Sequence, residues 1–181
     1  MQYLTTLATA VLLFGSTART TNVTMPTTPS LEYLYTAFVD CEPRIFTTQT
    51  SKGLRTAIPI IGGNFTGPRL NGKVLDLGAD WGLSDPQTGL FSADTRYNLQ
   101  TDDNANIYIQ TSGTRQPDGK LHLRLIFETG DKDYYWLNYV TAVGLLQRVA
   151  EYDNGTYTLR IDAWNLGNEW TNTTFVNGTT Y

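Results

Sequence analysis

Asp94-Thr95-Arg96 sets a carboxylate and a guanidinium two residues apart, on one face of any extended segment. Asp80-Trp81 ends an earlier segment with a carboxylate beside an indole. Trp136-Leu137-Asn138 places an indole and a carboxamide at the same spacing. Strands that close on one another would bring these groups to one cavity mouth. A carboxylate beside an arginine, walled by tryptophan, can bind a polar organic molecule and shuttle a proton. An aspartate enclosed by apolar and aromatic groups has its pKa raised toward working pH. Asp94, Arg96 and Asp80 are therefore the candidate catalytic residues. Trp81, Tyr97, Tyr108, Trp136 and Asn138 are the candidate ligand contacts. Plainer readings stand beside these. Asp94 and Arg96 also make a simple ion pair, Asp102-Asp103-Asn104 a hairpin turn, Gly62-Gly63 a barrel corner, and Trp81 and Trp136 ordinary core.

Other chemistries lack their residues. His122 is the only histidine and Cys41 the only cysteine, so no His/Cys set has metal-ligand spacing and no metal is expected. No nucleophile elbow precedes His122, which reads as a solvent-facing strand residue. There is no phosphate loop and no dinucleotide fingerprint, and no cofactor is expected. Nothing singles out a carboxylate pair for glycoside cleavage.

Composition narrows the class further. The 181 residues suffice for one domain with a real core. They are 40% hydrophobic, 12% aromatic and only 17% charged, which argues against wholesale disorder. The formal net charge is −4 and no stretch concentrates Lys and Arg, so neither nucleic acid nor an anionic membrane surface is an expected partner. Met1–Thr6, apolar Leu7–Phe14 and the small residues Ser16-Thr17-Ala18 read as an export signal, and no segment is long enough to span a bilayer. Five sequons, at Asn22, Asn64, Asn154, Asn172 and Asn177, agree with export and are the expected glycosylation sites. A single cysteine excludes an internal disulfide, and Cys41 reads as a small buried hydrophobe.

The elements that must position the candidates are strands. Leu121, Leu123, Leu125 and Phe127 alternate with His122, Arg124 and Glu128, and Tyr157, Leu159, Ile161 and Ala163 with Thr158, Arg160 and Asp162. Ser92–Gln100 puts Asp94, Arg96 and Asn98 on one face and Tyr97 and Leu99 on the other. Asp102-Asp103-Asn104 then turns into Asn106–Thr111. Further strands are expected at Leu31–Val39, Ala57–Phe65 and Leu70–Leu77, with 41–55 a long loop. The apolar run from Trp136 to Val149 reads as strand rather than helix, for its Tyr, Val, Thr and Gly144 content. It also offers an interface for a homodimer around Leu137 to Leu146. About eight short strands without an amphipathic helix predict an all-β fold, an antiparallel barrel or sandwich.

Four stretches resemble the DUF3237 (UPF0311) family of small β-barrel proteins. They are Ile60-Ile-Gly-Gly-Asn-Phe-Thr-Gly-Pro-Arg-Leu-Asn-Gly, Gly78-Ala-Asp-Trp81, Ala93-Asp-Thr-Arg-Tyr-Asn-Leu-Gln-Thr-Asp-Asp103, and Phe127-Glu-Thr-Gly with Trp136-Leu-Asn138. The resemblance spans roughly residues 30–163 and implies a single antiparallel barrel. Its signature polar and aromatic positions fall on Asp80, Trp81, Asp94, Arg96, Tyr97, Asp102, Asp103, Trp136 and Asn138. It implies no settled reaction. The chain departs from the pattern at Asn104, often Gly, and at Tyr139, often Arg.

The expected organisation is a signal peptide over 1–18, a flexible arm over 19–29, the barrel over 30–164 and a polar, glycosylated tail over 165–181. Two functions fit. One is a secreted barrel that binds a small organic molecule and rearranges it without a cofactor, as an isomerase, cyclase or dehydratase of secondary metabolism. The other is a non-catalytic ligand carrier or extracellular surface protein.

Overall fold

Residues alternating between oil and water along a strand demand a sheet with one wet and one dry face. In the computed structural model, which describes residues 25–167, such a sheet curls until its edges meet. The strands are β1 (Ser30–Cys41), β2 (Phe46–Thr50), β3 (Gly53–Thr66), β4 (Asn71–Asp80), β5 (Leu83–Ser84), β6 (Phe91–Thr101), β7 (Asn106–Arg115), β8 (Leu121–Glu128), β9 (Ala142–Glu151) and β10 (Tyr157–Gly167). The ladder runs β1-β10-β9-β8-β7-β6-β4-β3, and β3 pairs back onto β1. The result is a closed, antiparallel ring of the eight expected strands. Closure leaves no open edge among them, which removes the usual template for aggregation. β2 extends the sheet outside the ring as a hairpin on β3, and two-residue β5 bridges β3 and β6.

β8 shows the rule most cleanly: Leu121, Leu123, Leu125 and Phe127 are buried and every residue between them is exposed. The other walls contribute Tyr35, Ala37, Val39 and Cys41 from β1, Tyr97 and Leu99 from β6, Ile107 and Ile109 from β7, and Ile161 and Ala163 from β10. Tyr35 is fully enclosed and meets Phe65 and Phe127 edge-on, with ring centroids 5.9 and 6.2 Å away. Rings thus fill the middle of the barrel, and small Ala37 and Ala163 make room for them.

Closure needs sharp local bends. Gly63 has φ 129°, and a Cβ there would run into the Phe38 carbonyl of the neighbouring strand. The β1–β3 register shifts between Asp40 and Cys41, opposite Gly62 and Ile60, so the paired glycines mark a bulge. A second irregularity falls between Val74 and Gly78 on β4. It breaks the alternation expected over Leu70–Leu77, and Leu77 is left exposed.

Two expectations about the elements are corrected. Residues 41–55 are not one long loop, because Thr-rich β2 pairs with the start of β3 across a turn at Ser51-Lys52. Trp136–Val149 is not one strand: Tyr135–Tyr139 form a single 3-10 turn and the ladder starts only at Ala142. Leu137, Ala142 and Leu146, part of the apolar run offered for a dimer, are buried and belong to the core. At the C-terminal side β10 continues past 164 to Gly167, with Leu166 opposite Leu31. The export signal, Asn22, Asn172 and Asn177 lie outside the described residues.

Candidate active site

Antiparallel order assigns each residue to one of two barrel ends. Cys41, Asp80, Phe91 and Tyr157 sit at one end. Thr66, Thr101, Asn106, Glu128 and Ala142 sit at the other. The candidates divide accordingly. Asp80, Trp81, Asp94 and Arg96 cluster at the first end. Trp136 and Asn138, in the 3-10 turn after β8, lie at the second. There the Arg69 guanidinium lies 3.8 Å from the Trp136 ring centroid. Asn138 closes the loop, accepting from the Thr129 N–H at 3.0 Å and donating to the Thr129 and Tyr135 carbonyls at 2.9 and 2.8 Å. The expected meeting of both indoles around one mouth is therefore overturned, because β8 delivers its end to the far rim.

The pleat overturns a second expectation. On β6, Ala93, Thr95, Tyr97 and Leu99 are buried, so Asp94 and Arg96 point out of the barrel. Their side chains are 42% and 46% exposed, and Arg96 Nη1 donates to Asp94 Oδ1 at 2.9 Å. Arg55 of β3 approaches the other Asp94 oxygen at 3.6 Å and also donates to the Trp81 carbonyl. This is an external ion cluster of one carboxylate between two guanidiniums. Tyr108 likewise faces outward, between Asn98 and Glu128 of its neighbours. Trp81 stands at the rim, 46% exposed, its N–H on the Asp94 carbonyl at 3.0 Å.

Asp80 and Tyr97 are the two candidates that face inward. Asp80 lies opposite buried Thr95 in the β4–β6 ladder, and cross-strand partners share a face. Its Oδ1 accepts the Asp94 main-chain N–H at 2.9 Å. Burial pushes its pKa up to about 6; the nearby Asp94 charge adds to this, while the amide bond and Arg55 oppose it. Gly78, two residues earlier, makes the approach possible: at φ 149°, any Cβ would collide with Arg96 and Tyr97.

Around Asp80 the end of the barrel is lined with protonated donors. Tyr157 lies opposite Cys41 where β10 meets β1, and the Arg148 guanidinium sits 3.9 Å from the Tyr157 ring centroid. Burial raises both Cys41 and Tyr157 to about 12, and each feels the Asp80 charge and, in the opposite sense, Arg148. Tyr97, pushed up by burial and by Cys41, and Tyr35, pushed up by burial and by Tyr97, lie deeper. Thr95 and Thr111 hydroxyls satisfy each other, and Thr95 also donates to the Thr111 carbonyl at 3.0 Å. At neutral pH the site is one titrating carboxylic acid among hydroxyl and thiol donors, with a cation at its rim. Such a set can hold an oxygen-bearing organic molecule and exchange one proton with it.

Sequence reasoning missed Tyr35, Tyr157, Arg148 and Arg55. Alternation did place Tyr157 with Leu159 and Ile161, on the inward face. For Arg148 no sequence signal exists, since a register shift between Thr158 and Leu159 sets it opposite Leu159.

A second concavity lies on the outer wall, about 550 Å³ in volume, lined by Leu31, Val143, Leu145 and Trp164 with His122 and Arg124. His122 is 53% exposed and 3.7 Å from Asp118, as a solvent-facing strand residue should be. Asp80, Cys41 and Tyr157 lie at the barrel end and do not line this groove. Among the described residues, no cluster of His, Cys, Asp or Glu could hold a metal, and no helix is long and apolar enough to cross a membrane.

Known proteins share this architecture. A UPF0311 protein of Rhodopseudomonas palustris (strain TIE-1) is 32% identical over 143 residues, covering 68% of this chain and 93% of its own. The hydroalkoxylation enzyme phnH of Penicillium herquei is 32% identical over 125 residues, covering 66% and 75%. A crystal structure of a beta-barrel like protein from Acinetobacter baumannii AYE superposes with TM-score 0.67 at 34% identity, over 79% of this chain and 99% of that one. Residues 29–126 match the family described as protein of unknown function (DUF3237). The fold, the motifs and the matched length together make this chain a member of the DUF3237 (UPF0311) family.

Proposed function

We propose that this chain is a secreted, cofactor-free enzyme of secondary metabolism that binds a small organic molecule at the Asp80 end of the barrel and moves a proton on it. The observation that carries the reading is an inward, half-buried carboxyl group opposite buried Thr95, with its pKa pushed up to about 6 and tyrosine hydroxyls at the same barrel end. A group that titrates near working pH both gives and takes a proton readily. Isomerisation, cyclisation and dehydration each need one such group in a shaped, water-poor site. The relative from Penicillium herquei acts in hydroalkoxylation, the addition of O–H across a carbon–carbon double bond. In a reaction of that kind Asp80 in its acid form would protonate one alkene carbon. The substrate hydroxyl would then close on the other carbon and return its proton to Asp80.

Ligand contacts in this reading come from Tyr97 inside and Trp81 at the rim. Asp94 and Arg96 hold the outer side of the strand that carries the Asp80 hydrogen-bond donor. Glycans would stand on the exposed Asn64 of the outer wall and on Asn154 in the β9–β10 turn, together with the sequons beyond the described residues.

The second reading, a non-catalytic carrier, draws support from the rings of Tyr35, Phe65 and Phe127 that fill the barrel centre. Comparative metabolite profiling separates the two. Producing cells are compared with a strain lacking the protein and with one carrying Asp80→Asn. Loss or stereochemical scrambling of a product in both strains supports catalysis. A product set restored in full by a stable Asp80→Asn protein overturns it.

A further inference from the structure

The main chain that carries Asp80 is held from both sides. In the ladder β4 lies between β3 and β6, and two-residue β5 bridges those neighbours just beyond it. From the β6 side, the Asp94 N–H donates to Asp80 Oδ1 at 2.9 Å and the Asp94 carbonyl accepts the Trp81 N–H at 3.0 Å. From the β3 side, the Thr56 N–H donates to the Gly82 carbonyl at 2.9 Å, and Arg55, opposite Leu83, donates to the Trp81 carbonyl. Arg55 Nη1 also lies 3.6 Å from Asp94 Oδ2. One guanidinium thus reaches from β3, across the end of β4, to the residue on β6 that donates to Asp80. Arg96 is arranged differently. It sits two residues from Asp94 on the same strand, so its 2.9 Å ion pair ties β6 only to itself. The Arg55 side chain is also better covered, 28% exposed against 46% for Arg96, and a covered charge is screened less.

Resting on the reading of Asp80 as the proton-transfer group, we infer that Arg55 is its positioning residue: by holding the Asp94 carboxylate and the Trp81 carbonyl together across the end of β4, it keeps the Asp94 N–H on Asp80, a task Arg96 does not share. A guanidinium suits the task because its donors are fixed in one plane, whereas an ammonium on a flexible stem is a point charge. The bridge also places a positive charge where it favours the ionised form of Asp80, against burial and the Asp94 charge. Cys41 of β1 and Tyr157 of β10 feel the Asp80 charge too, but burial keeps both protonated near neutral pH. The charges around Asp80 in that range are therefore Asp94 with its two arginines, and Arg148 beside Tyr157.

The test follows the Asp80 carboxyl carbon and the Asp94 amide by NMR while the full chain is titrated from about pH 4 to pH 9. In wild type the Asp94 amide should titrate with Asp80, at a midpoint of about 6. In Arg55→Met the midpoint should rise by about one pH unit and the amide response should shrink by roughly half. In Arg96→Met the midpoint should move by less than about 0.3 pH unit, with the amide response intact. Arg55→Lys keeps the charge without the planar fork. Its midpoint should stay within about 0.3 pH unit of wild type while the amide response shrinks, and it carries the test if Arg55→Met folds poorly. Equal shifts in Arg55→Met and Arg96→Met, or an undiminished Asp94 amide response in either Arg55 variant, would overturn the inference. A wild-type Asp80 that titrates at the ordinary 3.8 would instead defeat the proton-transfer reading, and the Asp94 amide would still report on Arg55.

Discussion

Asp80→Asn tests the electrostatics directly, without knowledge of any substrate. The carboxyl rises from 3.8 in the unfolded chain to about 6 in the barrel, a shift worth roughly 3 kcal/mol. The sign follows from proton counting. Between those two values the folded state holds the proton that the unfolded state releases, so stability falls as pH rises through this window. Above about pH 7 the buried charge weighs against folding in full. Asparagine keeps an Oδ1 for the Asp94 N–H and removes the charge. The variant should therefore be more stable than wild type at pH 8, by up to roughly 3 kcal/mol, and near parity at pH 4. For a domain of this size that corresponds to about 5–12 °C in melting temperature. Urea denaturation of both proteins at pH 4, 6 and 8 reads the difference. A gap that does not change with pH would refute the claim that burial dominates, as would a variant destabilised equally at every pH.

The outer cluster should behave in the opposite manner. Asp94→Asn and Arg96→Ala each remove a partner from a half-exposed pair, so each should cost under about 1 kcal/mol and the cost should shrink in high salt. Gly63→Ala should destabilise by about 2–4 kcal/mol in the same urea assay, since the new methyl meets the Phe38 carbonyl and the backbone is left-handed. Cys41 is buried with its pKa near 12, so a thiol reagent at pH 8 should label it only as fast as the barrel unfolds, and labelling without denaturant within seconds would contradict its burial.

How much of this was legible beforehand depended on the kind of information required. The all-β class and about eight strands followed from period-two patterning and from turn residues such as Pro117-Asp118-Gly119, whose local chemistry acts over a few neighbours, while closure into a barrel rather than a sandwich was implied by the family resemblance. The same local rule put Asp94 and Arg96 on one face of β6 and Tyr97 on the other. It could not say which face was inside. That depends on burying Tyr97 and Leu99 in a core shared with strands remote in the chain. The sheet chose the larger apolar payload for its interior and left the ion pair outside.

The same limit separated Trp136 and Asn138 from Asp80. Residue type made them plausible neighbours, but strand direction sent them to opposite rims, and direction is a property of the closed sheet. Asp80 was recognisable as a candidate from its apolar flank, yet its elevated pKa exists only because β4 carries it into the wall opposite Thr95. Sequence alone therefore determined the all-β class, the alternation of strands such as β8 and the family. Tertiary structure decided which face was dry and which rim each group reached, because burial and registry are set by contacts between residues far apart in the chain.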